Sequence, residues 1–333
     1  MKRLNSAVIV VLLFSVAVTG VFAAGQREAP EKFTLKVGHV FAATHPWQIN
    51  LEGMAADVLA ATNGAVEIQA FPAAQLGGDR DVAEGLRLGT VEMGLFGTGA
   101  LQAIDKRMII EELPYAWADR QQAYDAMDGE LGAALDEVMK GYGIIGLAYW
   151  ESGYRHITNN VRPVNRVADL RGMALRVPEA EMRIDTFREL GALPTPLAFG
   201  ELFTALQQGV VDGQENPLAT IYTSRFQEVQ RYLSLSYHIW GSGYLAISQQ
   251  AWNRLPAEYQ QIVREKAAIW GENCRRDIRE SDEEFLRMLR EEGMQVNETN
   301  FSEFQRGVQP VWTKYEREFG TELMDLVRKY TAQ

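Results

Sequence analysis

Residues 33–71 read FTLKVGHVFAATHPWQINLEGMAADVLAATNGAVEIQAF. Positions 33–40 alternate apolar and polar side chains, the period of a half-buried strand. Pro46 opens a helical pattern that runs to about Thr62 and stops at Asn63-Gly64. Residues 66–70 restore a strand. Parallel neighbours need a crossover, and a helix supplies it, so strand–helix–strand in so short a stretch is the unit of a parallel sheet.

The pattern continues outward. Residues 79–88 read as a helix stopped by Gly89, 92–96 as a third strand, and helical segments follow to Lys140. The apolar run 144–150 (IIGLAYW) reads as a buried central strand. A second alternating set begins near Gly153, with strands at 156–159, 174–177, 210–214, 232–239 and 244–248 and helices at 179–190 and 200–208. Residues 257–292, rich in Arg and Glu, form the longest helical pattern, about 50 Å at 1.5 Å per residue, long enough to run along two lobes. Residues 303–330 form a second amphipathic helical region. Two α/β lobes imply a cleft, and open α/β sheets bind ligands beyond the carboxyl ends of their strands. Those ends fall at 38–41, 97–99, 150–155, 176–178 and 214–217.

The chain has 333 residues and a net charge of −11, which becomes −13 without Lys2 and Arg3. An acidic balance argues against a nucleic-acid backbone as partner. With 47% hydrophobic and 23% charged residues the chain is globular rather than disordered. The single cysteine, Cys274, excludes an internal disulfide and a thiolate metal cluster. Residues 1–24 read as a secretory signal: Lys2 and Arg3, an apolar run over 7–18, and Val21-Phe22-Ala23 as a small-x-small cleavage pattern. Cleavage near Ala23/Ala24 and a periplasmic mature protein are expected.

Catalytic signatures are weak. There is no Gly-x-Ser-x-Gly elbow and no Gly-rich phosphate loop, and His39, His45, His156 and His238 lack metal-ligand spacing. No metal, cofactor or enzymatic activity is expected. Arg176, in LRVP at a strand end, is well shaped for bidentate carboxylate binding, with a structural ion pair as the plain alternative. Arg155, in WESGYR, carries the same two readings. The segment 199–217, FGELFTALQQGVVDGQENP, reads as a helix, a turn and a strand that leaves Gln214, Glu215 and Asn216 in the cleft.

LRVP (175–178), PTPLAFGELFTALQQGVVDGQENPLA (194–219) and QLGGDRD (75–81) resemble the solute-binding proteins of tripartite ATP-independent periplasmic (TRAP) transporters, DctP type. The resemblance covers residue 33 to about residue 329. It implies a two-lobed type II periplasmic-binding-protein fold with mostly parallel sheets, an inter-lobe ligand cleft and a long helix spanning both lobes. Residues 33–152 plus 242–281 would form the first lobe and 153–241 plus 282–333 the second. It also implies small and large integral membrane subunits as partners, and a monomeric receptor. Arg176 falls on the family's carboxylate-pairing arginine, Arg155 on a second arginine near that carboxylate, Asn216 on an amide bonded to it, and Phe199 on a pocket aromatic. Asp79 lies where sialate-binding members place an acidic group, but Val40 stands in place of an asparagine and Gly97 in place of a glutamate. Trp150-Glu151 and His39 look more like members that bind uronates. The expected ligand is therefore a hexuronate or related sugar acid, with a C4-dicarboxylate or other small hydroxy acid as the alternative. His39, Asp79, Glu151 and Thr98 are candidates for its hydroxyls, and Glu215 completes the polar set.

Overall fold

The computed structural model describes residues 32–331. The described chain opens with β1 (Phe33–Gly38), α1 (Pro46–Ala61), β2 (Val66–Phe71), α2 (Asp79–Leu88) and β3 (Met93–Phe96). Two 3-10 segments, Thr98–Ala103 and Lys106–Glu112, lead to α3 (Arg120–Met127) and α4 (Glu130–Lys140). Strand β4 (Ile144–Asn159) carries the chain into β5 (Ala174–Val177), α5 (Glu181–Glu189), β6 (Leu193–Pro196), α6 (Phe199–Gln207), β7 (Gly213–Pro217), α7 (Leu218–Thr223) and β8 (Tyr232–Leu235). Strand β9 (Trp240–Ser248) returns, followed by α8 (Gln249–Arg254), α9 (Ala257–Glu291), β10 (Gln295–Glu298), α10 (Phe301–Gly307) and α11 (Gln309–Thr331). Among the described residues no helix is long and apolar enough to cross a membrane. The secretory signal read at 1–24 lies outside the described residues.

The strand order is β2-β1-β3-β9-β4-β7-β5-β6, with β8 also on β4 and β10 on β8. Pairs within each β-α-β run are parallel, whereas every pairing of β4 or β9 is antiparallel. The first half of β4 belongs to one sheet with β9, β3, β1 and β2, and its end, from Arg155, to a second with β7 and β8. The sequence reads 156–159 as a separate strand, but it is the continuation of β4. The register shifts between Glu151 and Gly153, where Gly153 has φ 112°, and this bulge bends one strand from sheet to sheet. Strand β7 is also displaced from the expected 210–214: its Gln-Glu-Asn-Pro is the strand rather than its exit, because these residues pair with Arg155–Thr158 of β4. Strand β6, Leu-Pro-Thr-Pro, was not anticipated, and its two prolines are tolerated because it is a sheet edge.

Helix α9 lays one narrow stripe, Val263, Ala267, Gly271, Cys274 and Ile278, against the interior at spacings of three and four. Gly271 is required there, since a Cβ would lie 2.8 Å from the Trp150 ring. The helix packs on α1 and β4 at one end and on α7 at the other. Helix α11 packs on α3, α4 and α5, kinks at Gly320 (φ 77°), and places Tyr330 and Lys329 on Glu130 at the start of α4.

Candidate functional site

A cavity of about 530 Å³ opens between the two sheets, walled by the strand ends and helix starts that follow them. Strand β5 delivers Arg176 to it, β4 delivers Arg155, β7 delivers Asn216, α2 opens on Asp79, α5 contributes Arg183, and Glu112 closes its 3-10 segment. Phe41, Trp47 and Phe199 supply apolar surface, and Val40, Gly97 and Ser242 also line it.

Arg176 is 2% exposed. Its Nε and Nη2 both donate to the Leu197 carbonyl, at 2.9 and 2.7 Å, and its plane lies 5.8 Å from the Phe199 ring centroid. Its Nη1 is buried without a partner. Burial, with the nearby charges of Arg155 and Arg183, depresses its pKa to about 9 despite Glu215 and Asp79. A guanidinium held this way lacks an anion.

Arg155 is committed differently. Its Nε and Nη2 grip the Glu215 carboxylate, and Nη2 also reaches the Glu215 carbonyl (2.6 Å) and Asn216 Oδ1 (3.0 Å). Asn216 in turn donates to Gln214 Oε1. Glu215 also accepts from His238 Nε2 (3.0 Å) and lies 3.6 Å from Arg183 Nη1. Burial alone would raise the pKa of Glu215, but Arg155 and Arg183 hold it far below the carboxylate range. Arg183 forks onto Glu112, Nε at 2.8 Å and Nη2 at 2.5 Å. Three buried guanidinium groups thus face two paired carboxylates, Glu112 and Glu215. Asp79, at the start of α2, lines the same cavity. Its Oδ1 is buried without a partner, and burial lifts its pKa to about 7 against the pull of Arg176 and Arg183.

Of the residues singled out from sequence, Arg176, Arg155, Asn216, Phe199 and Asp79 line the cavity, and His39, Thr98, Glu151 and Glu215 do not. His39 turns into the protein, its Nε2 2.8 Å from Gln48 Oε1, and burial lowers its pKa. Thr98 donates to Glu111, and Ser242 joins the same carboxylate at 2.6 Å. Glu151 is fully buried among Arg120, Tyr124 and Trp240, with Arg120 continuing to Asp282 of α9. Glu215 stands behind Arg155. Sequence reasoning missed Arg183, Glu112, Trp47, Phe41 and Ser242. The one visible signal was Glu111-Glu112 inside the apolar run 108–117, where two adjacent carboxylates have to find buried partners. Among the described residues no cluster of His, Cys, Asp or Glu is arranged to hold a metal ion.

The model of the bacterial extracellular solute-binding proteins, family 7 (DctP) matches residues 37–318. A solute-binding protein of Roseobacter denitrificans is 34% identical over 87% of this chain and 89% of its own. The structure of a TRAP periplasmic solute-binding protein of the same organism with bound L-galactonate aligns at TM-score 0.84 and 32% identity, covering 91% of this chain and 99% of that one. One from Polaromonas bound to D-erythronate aligns at 0.87 and 32%, covering 90% and 99%. One from Sulfurospirillum deleyianum with bound succinate aligns at 0.85 and 29%, covering 91% and 99%. These are binding receptors rather than enzymes, and their fold is the mixed α/β, two-lobed arrangement described above. With a family model spanning most of its length and a relative 34% identical over 87% of it, the chain belongs to the DctP family of TRAP transporter solute-binding proteins.

Proposed function

We propose that this receptor captures a small polyhydroxylated monocarboxylate, a hexuronate or related aldonate, in the periplasm and delivers it to the small and large membrane subunits of a TRAP transporter. The observation that carries the reading is the buried, unpartnered Nη1 of Arg176. A ligand carboxylate set there accepts from Nη1, with Asn216 and the edge of Arg155 beside it. Asp79 and Ser242 face the same space and suit hydroxyls, while Trp47, Phe41 and Phe199 suit the carbon face of a sugar acid. L-galactonate and D-erythronate, bound by two of the relatives, each combine one carboxylate with several hydroxyls. The receptor acts as a monomer, its lobes hinging at 152/153, 241/242 and 281/282. The bulge at Gly153 opposite Gly241 and the tie from Glu151 through Arg120 to Asp282 support that placement.

The second reading, a C4-dicarboxylate, has the succinate-bound relative in its favour. Against it, a second ligand carboxylate would approach Glu112, and like charges there are costly. A thermal-shift panel tests the proposal. At about 100 times the dissociation constant a ligand stabilises by about 2.7 kcal/mol, roughly 5 °C for a chain of this size. Galactonate, galacturonate or glucuronate should give such a shift and galactose and glucose none. Equal shifts from galactose and galactonate would remove the carboxylate anchor, and a shift from succinate alone would select the second reading.

A further inference from the structure

The first turn of α5 has no capping side chain of its own, since its N-cap residue is Ala180. The cap comes from the other lobe. Gln102, in the 3-10 segment after β3, accepts from Glu181 N through Oε1 at 2.8 Å and donates through Nε2 to the Glu179 carbonyl. Three further contacts join the same turn to the first lobe. Lys106 pairs with the Glu181 carboxylate at 3.1 Å, Arg80 of α2 pairs with Glu179 at 3.1 Å, and the buried Arg183 forks onto Glu112. Glu112 is itself held by Gly99 N at 3.2 Å, and Gly99 comes so close to Ala180 that a Cβ on it would lie 3.3 Å from that of Ala180. Only four residues, Val177 to Ala180, separate Arg176 from this helix.

We propose that the first turn of α5 is the closing clasp of the receptor, with Gln102, Glu112 and Arg183 as positioning residues for solute capture. The proposal rests on the receptor reading above. Apart from the solute, it asks what holds the lobes together. When they part, the helix end loses its cap, and Arg183 and Glu112 return to water separately. When a carboxylate fixes Arg176 at the end of β5, it fixes the short turn that presents α5 to its cap and to Glu112. The clasp therefore acts on the lifetime of the closed form rather than on encounter, and the closed fraction scales the apparent affinity. Gln102 does not line the solute cavity but an adjoining seam of about 260 Å³, so its effect on binding passes through closure.

The test uses the full mature chain and D-galactonate, with two variants. Gln102→Ala should raise the dissociation rate about fivefold, the equivalent of one lost helix cap, with the association rate unchanged. Glu112→Gln should raise it more, because Arg183 is left buried with a neutral partner. Dissociation rates within twofold of the parent for both variants would overturn the clasp. So would a ligand-free melting temperature lowered by as much as the liganded one, which marks a role inside one lobe. A readout without solute separates this from the choice of acid. Spin labels at Leu88→Cys and Val210→Cys, both exposed and on opposite lobes, report the interlobe distance while native Cys274 is buried. If no acid of the panel binds the parent, the acid reading fails and this measurement still decides: Glu112→Gln lengthens the ligand-free distance if the clasp is right, and leaves it unchanged if it is wrong.

Discussion

Replacing Arg176 with methionine separates binding from folding, because the two should move differently. In the ligand-free protein the guanidinium is 2% exposed, its Nη1 has no partner, and burial pulls its pKa down to about 9. Removing it relieves an uncompensated buried charge, worth on the order of 1–3 kcal/mol. The same substitution strips two bonds from the Leu197 carbonyl, an opposing loss of about 1–3 kcal/mol. The two nearly cancel, so the ligand-free melting temperature should stay within a few degrees of the parent, at roughly 2–4 °C per kcal/mol. Binding has no such compensation. A ligand carboxylate drawn into the cavity without its guanidinium costs about 2–5 kcal/mol, roughly 30-fold to several thousand-fold in affinity. Arg176→Lys keeps a charge but loses the fork that holds Leu197 and the ligand together, so it should also bind more weakly. Calorimetric titration with galactonate and melting curves of the ligand-free variants measure both quantities. An Arg176→Met affinity within about threefold of the parent would refute the anchor. A collapse of ligand-free stability would mean that the arginine serves the fold instead.

Asp79→Asn should stabilise the ligand-free protein in a pH-dependent way. The raised pKa of about 7 means that the folded state resists ionisation which the unfolded chain accepts near pH 4. The parent's stability from this group is full below about pH 4 and is lost as pH rises to about 7, so the gain from asparagine should grow over that window and then level off. A gain independent of pH in melting curves would contradict the burial argument. Glu151→Gln should lower the melting temperature, because Arg120 loses its carboxylate in a buried network, while galactonate affinity changes less than threefold. A large affinity loss with unchanged stability would return Glu151 to the ligand. N-terminal sequencing of the exported protein should begin at Ala24 or Gly25, and intact Met1 in the exported fraction would refute cleavage.

The alternation of strand and helix is written in residues near one another. Pro46 and Asn63-Gly64 bound α1 because helix starts and stops depend on local dihedral preferences, and the apolar run at 144–150 marks the first half of β4 because water excludes it wherever it sits. Arg176 stood out for the same local reason: an arginine in an apolar strand ending at Pro178 has few places to go. What each charged group does once buried is not local. Arg155 and Glu215 are 60 residues apart, Arg183 and Glu112 71, and Arg120 and Asp282 162. Sequence therefore offered Arg155, Glu151 and Glu215 to the ligand as well as Arg176. Only the tertiary approach of β4, β7, α5 and α9 satisfied most of their bonding capacity and left Nη1 of Arg176 open. An unpaired buried charge is a property of everything within a few ångströms of it, and the folding of distant segments decides what that is.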